Sequence, residues 1–548
     1  MALTIREASE KRLVGLKAAR QHFEPEWREI AQHSQPSRSR FLQSEAQRSY
    51  RRSNRAIYNS HGILSFRTLA GGMYSGLSSP SRPWFRLKPY DEALAADQDA
   101  KVWLAEVERR IYNFLAGTNF YTSVRTGYAE LGMFATSGCV MVDHDEAGAV
   151  CHQLTAGEYW VANGSAGETD TLYRRVPMTV AQAVQSFDWA MLSRRVRDCY
   201  DRSDYEKIVE VIHAIEPNDM RDPTRLDAKN KPWRSFWWDT QDSDKLNGQL
   251  RLSGYDEQPF WAPRWETCGG DAYGTGPGHD SLPDMRELQL HTKRKTEATA
   301  FLVKPEKIMP ASVKLKGEAG NNVAASLGDA KQVLIPYQMP YQAIEAIMQD
   351  MARVTQTIDS LTYADLFMAI TNMQGIQPRN IEEIASRNEE KLTQLGPVIE
   401  RVNVEQLEKV IDRTFGIMSR KGMFPPAPES LQGKPIKVDY VSVLAQMQRM
   451  LGIGQLERTV GFIVSAAGAN PEALDLLNVD EAVFEYADRA GAPPRMIRSE
   501  TEVQQIREAR QQQAQMQQAA AMAQPAKDGT QALLNVAKLG QGATSPSL

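Results

Sequence analysis

The sequence predicts an α+β protein in which a strand-bearing body is organised around three long helices. Three observations predict it. Apolar residues recur at helical spacing in three segments between residues 284 and 421, hydrophobic and polar residues alternate over 138–176, and Gly/Pro-rich turns separate the two regimes.

Residues 3–33 place Leu3, Ile5, Leu13, Leu16, Phe23, Trp27 and Ile30 at helical spacing, with arginines on the polar face. Residues 1–60 hold 12 Lys/Arg against 6 Asp/Glu. That face is either a contact for DNA or an acidic protein, or a solvated surface, which is the commoner case. Residues 56–78 read as a helix rich in small residues, whose LAGGMYSG glycines permit a close neighbour. A strand at 84–87 follows the Ser-Ser-Pro-Ser-Arg-Pro break, then helices at 95–115 and 121–131. The alternating stretch reads as two or three hairpin strands with turns at 146–148 and 164–167. Thr179 caps a short helix over 180–187, and further strands are expected at 207–215, 233–240 and 259–265.

The centre of the chain begins with the turn YGTGPGHDSLPD at 273–284, where Pro277 and Pro283 are expected to hold off a helix until Asp284, its N-cap. A polar helix runs over 284–300. Short β-like runs at 300–303, 312–315 and 332–335 surround GEAGNNVAASLGD and predict a small sheet on a tip. A second helix covers 342–370, and Gly375 and Pro378 break it in the loop TNMQGIQPRN, 371–380. A third helix starts near Ile381 and runs to about Lys421, with Ile384, Leu392, Leu395, Ile399, Leu407, Val410, Ile411 and Phe415 inward and a kink at Gly396-Pro397. After PPAPES, a strand is expected at 436–440 and helices at 442–467, 471–477 and 479–487. Residues 501–524 contain nine glutamines and read as a polar helix, with a mobile tail beyond.

Three blocks, FRTLAGGMYSGLSSPSRPWFRL at 66–87, the turn YGTGPGHDSLPD and RNEEKLTQLGPVIERV at 387–402, resemble the portal, or head-to-tail connector, proteins of T7-like short-tailed bacteriophages. The likeness in order and spacing covers roughly residues 5–500. It implies a portal fold assembled as a dodecameric ring, with an α/β wing (1–283 and 381–480), a helical stem (284–300 and 341–370), a small β-containing clip (301–340), a channel loop (371–380) and a helical C-terminal crown and tail (481–548). The resemblance further implies a virion protein at one capsid vertex, made in the host cytoplasm. Double-stranded DNA would pass through it during packaging and ejection. Its partners would be further copies of itself, the terminase large subunit, tail adaptor and nozzle proteins, and the major capsid and scaffolding proteins.

Arg379 is the residue singled out for the channel, because in portal proteins the matching loop projects into it and a ring multiplies one arginine into a belt facing phosphates. The alternative is an exposed loop arginine of no special role, and the Gln-Pro-Arg-Asn here departs from the Thr-rich loop common in the family. Lys293 and Lys295 are further channel candidates, though Lys293, Arg294 and Lys295 point in three directions around one helix. Lys304, Lys307, Lys314 and Lys316 in the clip are candidates for partner contact, or are merely solubilising.

Composition supports a conduit over a bulk nucleic-acid binder. Formal net charge is −4, with 64 basic and 68 acidic residues. Each neutralised phosphate tightens binding through counterion release, so a strongly basic wall would hold a duplex that must slide. No Gly-Lys-Ser/Thr phosphate loop occurs, since Gly433-Lys434 is followed by Pro435; any motor is another protein. Cys139, His144, Cys151 and His152 could meet across a hairpin as zinc ligands, but their spacing fits no compact knuckle, so neither metal nor other cofactor is expected. The acidic pairs Asp143/Asp145 and Glu382/Glu383 lack the clustering that a rival reading, a nuclease, requires. A scaffold or ejection protein, the other rival, would lack the order helix, tip, helix, loop, helix. The four cysteines form no paired framework, MALTIREASEKRL does not read as a signal peptide, and no apolar run is long enough to span a membrane.

Overall fold

The computed structural model describes residues 4–36, 57–91, 97–242, 248–303, 341–371, 389–442, 444 and 453–467, with shorter pieces between 477 and 515. The chain divides into two units, Met1–Leu451 and Gly452–Leu548. The second contains the helix Ile453–Ala467, and everything below concerns the first.

Helix α1 (Ile5–Gln21) opens on a capping box, in which the Glu7 amide donates to the Thr4 hydroxyl and the Thr4 amide to the Glu7 carboxylate. The helical pattern over 3–33 is two helices, because α2 (Glu24–His33) restarts the chain with Pro25 in its first turn. Next come α3 (His61–Leu77), β1 (Phe85–Pro89), α4 (Gln98–Gly117) and α5 (Phe120–Phe134). They share one large core in which Phe66, Leu69, Met73, Leu131 and Phe134 are all buried. Strand β1 pairs with the late strand Ile436–Tyr440, so residues far apart in sequence close the same body.

A three-stranded antiparallel sheet joins β2 (Cys139–His144), β3 (Gly148–Gln153) and the two-residue strand Phe260–Trp261. Beside it stands a five-stranded antiparallel meander of β4 (Tyr159–Asn163), β5 (Thr169–Thr179), β6 (Ile208–Pro217), β7 (Trp233–Asp239) and β8 (Arg251–Tyr255). Alternation along β6 sorts its two faces. Ile212 and Ala214 meet Leu13 and Leu16 of α1 on one side. Val209 and Val211 meet α6 (Val180–Ser186) and α7 (Arg194–Asp201) on the other. Thr179 caps α6 through a second capping box, as its sequence position implied.

Past the turn, a single helical turn α8 (Pro277–Asp280) precedes α9 (Leu282–Val303), then α10 (Tyr341–Leu361) and α11 (Ala364–Thr371). Four expectations are corrected here. Pro277 starts a helical turn instead of preventing one, because a first-turn proline forfeits no intrahelical hydrogen bond. Asp284 therefore lies inside the first turn of α9, not at its cap. Residues 300–303 continue that helix and are not a strand. The helix expected over 342–370 is broken where Tyr363 adopts a left-handed φ of 55°. Elsewhere α7 and β8 were not foreseen: RLSGY has little intrinsic strand preference and is ordered by pairing with β7.

The third long helix is α12 (Glu389–Val402), a π-helical segment Asn403–Glu408, and α13 (Lys409–Arg420). Pro397 sits inside α12, as expected; the π segment was invisible in sequence. Its extra residue per turn rotates the buried stripe, so Glu405, Gln406 and Leu407 are consecutive and all buried. Leu395, Ile399, Leu407, Val410 and Ile411 lie inward as predicted and Phe415 is half-buried, while Ile384 and the side chain of Leu392 lie outside the described residues.

Candidate functional site

The helix pair α9 and α10 carries the segments for which function was predicted, and its geometry follows from a few contacts. His291 bonds Asp350 at 3.0 Å, while Glu287, one turn earlier, pairs with Arg353 at 3.5 Å. Rising numbers on one helix meet falling numbers on the other, so the two are antiparallel. Met285, Leu288 and Ala298 of α9 and Ile344, Val354 and Ile358 of α10 are buried. Residues 304–340 link the Val303 and Tyr341 ends.

The opposite end is pinned to the body by buried or half-buried polar groups. Gln289 accepts from the Tyr58 and Asn59 amides at 2.8 and 2.9 Å and donates back to the Asn59 carbonyl at 2.7 Å. Asp359 accepts from the Ser65 hydroxyl and bonds His61, both at 2.8 Å. Gly72 lets α11 in: a Cβ there would sit 2.1 Å from the Phe367 ring. Gly278 does the same at the turn, where a Cβ would lie 1.9 Å from the Met133 carbonyl oxygen. This explains two of the glycine-rich blocks as close packing.

Charge on the pair is nearly balanced, with five basic and six acidic residues over the two helices. Lys293 is exposed and lies 3.9 Å from Glu297; Lys295 is half-buried. At about 100° per residue the two lysines point roughly 160° apart, so one face cannot present both. Burial, then the neighbouring Glu287, raises the Asp284 carboxyl above its ordinary range, with Arg353 opposing. Arg379 and the tip lysines Lys304, Lys307, Lys314 and Lys316 lie outside the described residues.

Among the described residues, one group of potential metal ligands gathers: Glu287, His291 and Asp350, with ligand atoms within 4.8 Å of one another. Arg353 already pairs with both of its carboxylates, Asp350 at 2.9 Å and Glu287 at 3.5 Å. Glu287 and His291 were legible as neighbours four apart on one helix; Asp350 was not. The hairpin does not unite Cys139, His144, Cys151 and His152. Cys151 and His152 are adjacent on β3 and so face opposite sides, and His144 is exposed at the strand end, where its Nδ1 accepts from the Ala147 amide.

The basic face of α1 meets neither expectation fully, because much of it binds the protein's own sheet. Arg6 is buried and donates to the carbonyls of Gly248, Asp239 and Asp242. Arg12 donates to the Thr171 hydroxyl at 2.8 Å, and Arg20 to the Tyr159 carbonyl at 2.7 Å while lying over the Trp160 ring. A second unforeseen feature is the buried pair Arg264 and Glu405, which ties the loop after Phe260–Trp261 to the π segment. No described helix is long and apolar enough to cross a membrane.

Comparison with known proteins agrees along nearly the whole chain. The family model described as "Bacteriophage head to tail connecting protein" matches residues 6–497. The chain is 38% identical over 543 residues to the portal protein of Salmonella phage epsilon15, covering 97% of this chain and 96% of that protein. It is 35% identical over 534 residues to the probable portal protein of Bordetella phage BPP-1, covering 97% and 94%. Among solved structures, the virion of the native gene transfer agent particle contains a chain matched at a TM-score of 0.36 and 12% identity, over 80% of this chain and 91% of that one.

Proposed function

Because the chain belongs to the bacteriophage head-to-tail connecting family, the portal proteins, we propose that it closes into a dodecameric ring through which double-stranded DNA enters and leaves the capsid. Portal proteins are structural, not enzymatic, and this one is a virion component at the head-tail connection. In the proposed ring, residues 284–300 of α9 and residues 341–370 form the stem, residues 301–340 the clip, 371–380 the channel loop and 481–548 the crown. The remainder is the wing. The terminase large subunit would dock on the clip during packaging and tail adaptors afterwards, with capsid and scaffolding proteins around the wing. Kinship with the T7-like short-tailed phages is part of this proposal and rests on the three sequence blocks.

The observation that supports the conduit most is the helix pair itself. It is pinned at one end, nearly balanced in charge, and leaves Leu290, Phe301, Tyr341 and Met348 exposed. A ring needs two different faces of each subunit to meet head to tail, and exposed apolar side chains set among the charges of this helix pair suit one of them. A near-neutral wall also lets DNA slide, as counterion release would otherwise hold it.

Arg379 is the proposed channel contact, with Lys293 or Lys295 secondary, and Lys304, Lys307, Lys314 and Lys316 are proposed to serve docking. Arg379→Ala should leave ring assembly intact and impair packaging or retention of DNA. Packaged length and retention equal to wild type would remove the case for this residue.

A further inference from the structure

The five-stranded sheet brings four residues into one row across its α6 face. Register pairs Arg174 with His213, His213 with Trp237, and Trp237 with Arg251. Arg174, Trp237 and Arg251 of this row line a cavity of about 390 Å³, together with Lys231 and Tyr255. Arg174 is 4% exposed. Its Nε donates to His213 Nδ1 at 3.0 Å, and the guanidinium lies 5.5 Å over the Trp237 ring. His213 stacks on Trp237 at 3.8 Å and reaches the Ser235 hydroxyl at 2.9 Å through its other nitrogen.

The carboxylates around the cavity are matched by other cations. Asp143 takes Arg413 at 2.5 Å, Glu257 takes Arg413 at 2.9 Å and Arg420 at 2.5 Å, and Asp256 takes Lys231 at 2.8 Å. Arg174 and Arg251 are left over. Among the described residues neither has a carboxylate partner: Arg251 donates to the Ser186 carbonyl and lies over the Phe187 ring. A buried, uncompensated cation costs several kcal/mol, roughly, unless an anion joins it. Burial pushes Arg174 down only to about 10, so it remains charged at neutral pH.

We propose that this cavity binds a small oxyanion of the phosphate class between Arg174 and Arg251. Guanidinium forks suit tetrahedral oxyanions, and the neutral His213 holds the Arg174 fork in place from behind. Free phosphate and a nucleic-acid backbone share this chemistry. The cavity favours the free anion, because the Arg174 charge lies at its buried floor.

The test is titration of the purified full-length protein with inorganic phosphate, followed by calorimetry and by the rise in melting temperature, against chloride at matched ionic strength. Wild type should show a saturable response that chloride does not reproduce. Arg251→Met, an exposed position that should fold normally, should weaken phosphate binding about 10-fold or more, in keeping with the loss of a charge-assisted hydrogen bond. Arg174→Met should abolish the response. Absence of a saturable response in wild type, or identical affinity in Arg251→Met, overturns the site. Displacement of bound phosphate by a short duplex without terminal phosphates overturns the free-anion assignment in favour of a backbone phosphate.

Discussion

Replacing Glu405 by leucine should destabilise the first unit by about 3–5 kcal/mol, the usual cost of leaving a buried charge without its partner. The carboxylate accepts from the Arg264 amide at 2.9 Å, from Nε at 3.2 Å and from Nη2 at 2.5 Å, and both residues are almost fully buried. Without it, among the described residues the guanidinium keeps only the Asn163 side chain and the carbonyls of Asp271 and Gly167. The Arg264 amide keeps no partner among the described residues. Unfolding entropy of about 2.1 cal/mol/K per residue, over the unit Met1–Leu451, gives about 0.9 kcal/mol/K, so the melting temperature should fall by about 3–5 °C. Scanning calorimetry of E405L, R264M and R264M/E405L checks it. The double variant should regain most of the loss, because an apolar pair no longer buries an unpaired charge. An E405L protein melting within 1 °C of wild type, roughly, or single effects that simply add in the double, would refute the reasoning.

Gly72→Ala should cost about 1–3 kcal/mol through overpacking against Phe367, and Phe367→Ala should relieve part of it, read as urea midpoints of the two singles and the double. A Gly72→Ala protein as stable as wild type would show that α11 does not press on α3 as described. Stability should also fall on acidification through the buried His213. Burial first, then Arg174, holds its folded-state pKa well below 6.5, so below that pH the unfolded chain takes up a proton that the folded one refuses. The loss from this group is at most about 1.4 kcal/mol per pH unit between 6.5 and the folded-state pKa. His213→Gln should flatten the slope of urea midpoint against pH between pH 6.5 and 5; an unchanged slope would count against it.

Legibility followed the range of the interactions. The helices α9, α10 and α13, the hairpin β2–β3 and the cap at Thr179 are local patterns, so spacing and one polar residue sufficed to find them. The LAGGMYSG glycines were read as permitting close approach, and Gly72 does so, but Phe367 could not be named as what approaches; Gly278, in a turn read for its backbone freedom, instead makes room for the Met133 carbonyl. Features set by distant partners were missed. Strand β8 is held by pairing with β7, the π segment carries Glu405 to its distant partner Arg264, and the left-handed Tyr363 precedes α11, which packs on Gly72. The α1 arginines looked like surface charge, since nothing in their own helix reveals the carbonyls of Gly248 or Tyr159. The cavity row was hidden for the same reason: Arg174, His213, Trp237 and Arg251 become neighbours only through strand register.

The central claim is ring assembly, and native mass spectrometry of the purified protein, paired with axial class averages of negatively stained particles, tests it most directly. The account predicts a closed ring near twelve subunits with a central hole wide enough for a B-form duplex. A chain that stays monomeric or dimeric across the accessible concentration range, with no ring among the class averages, would contradict it.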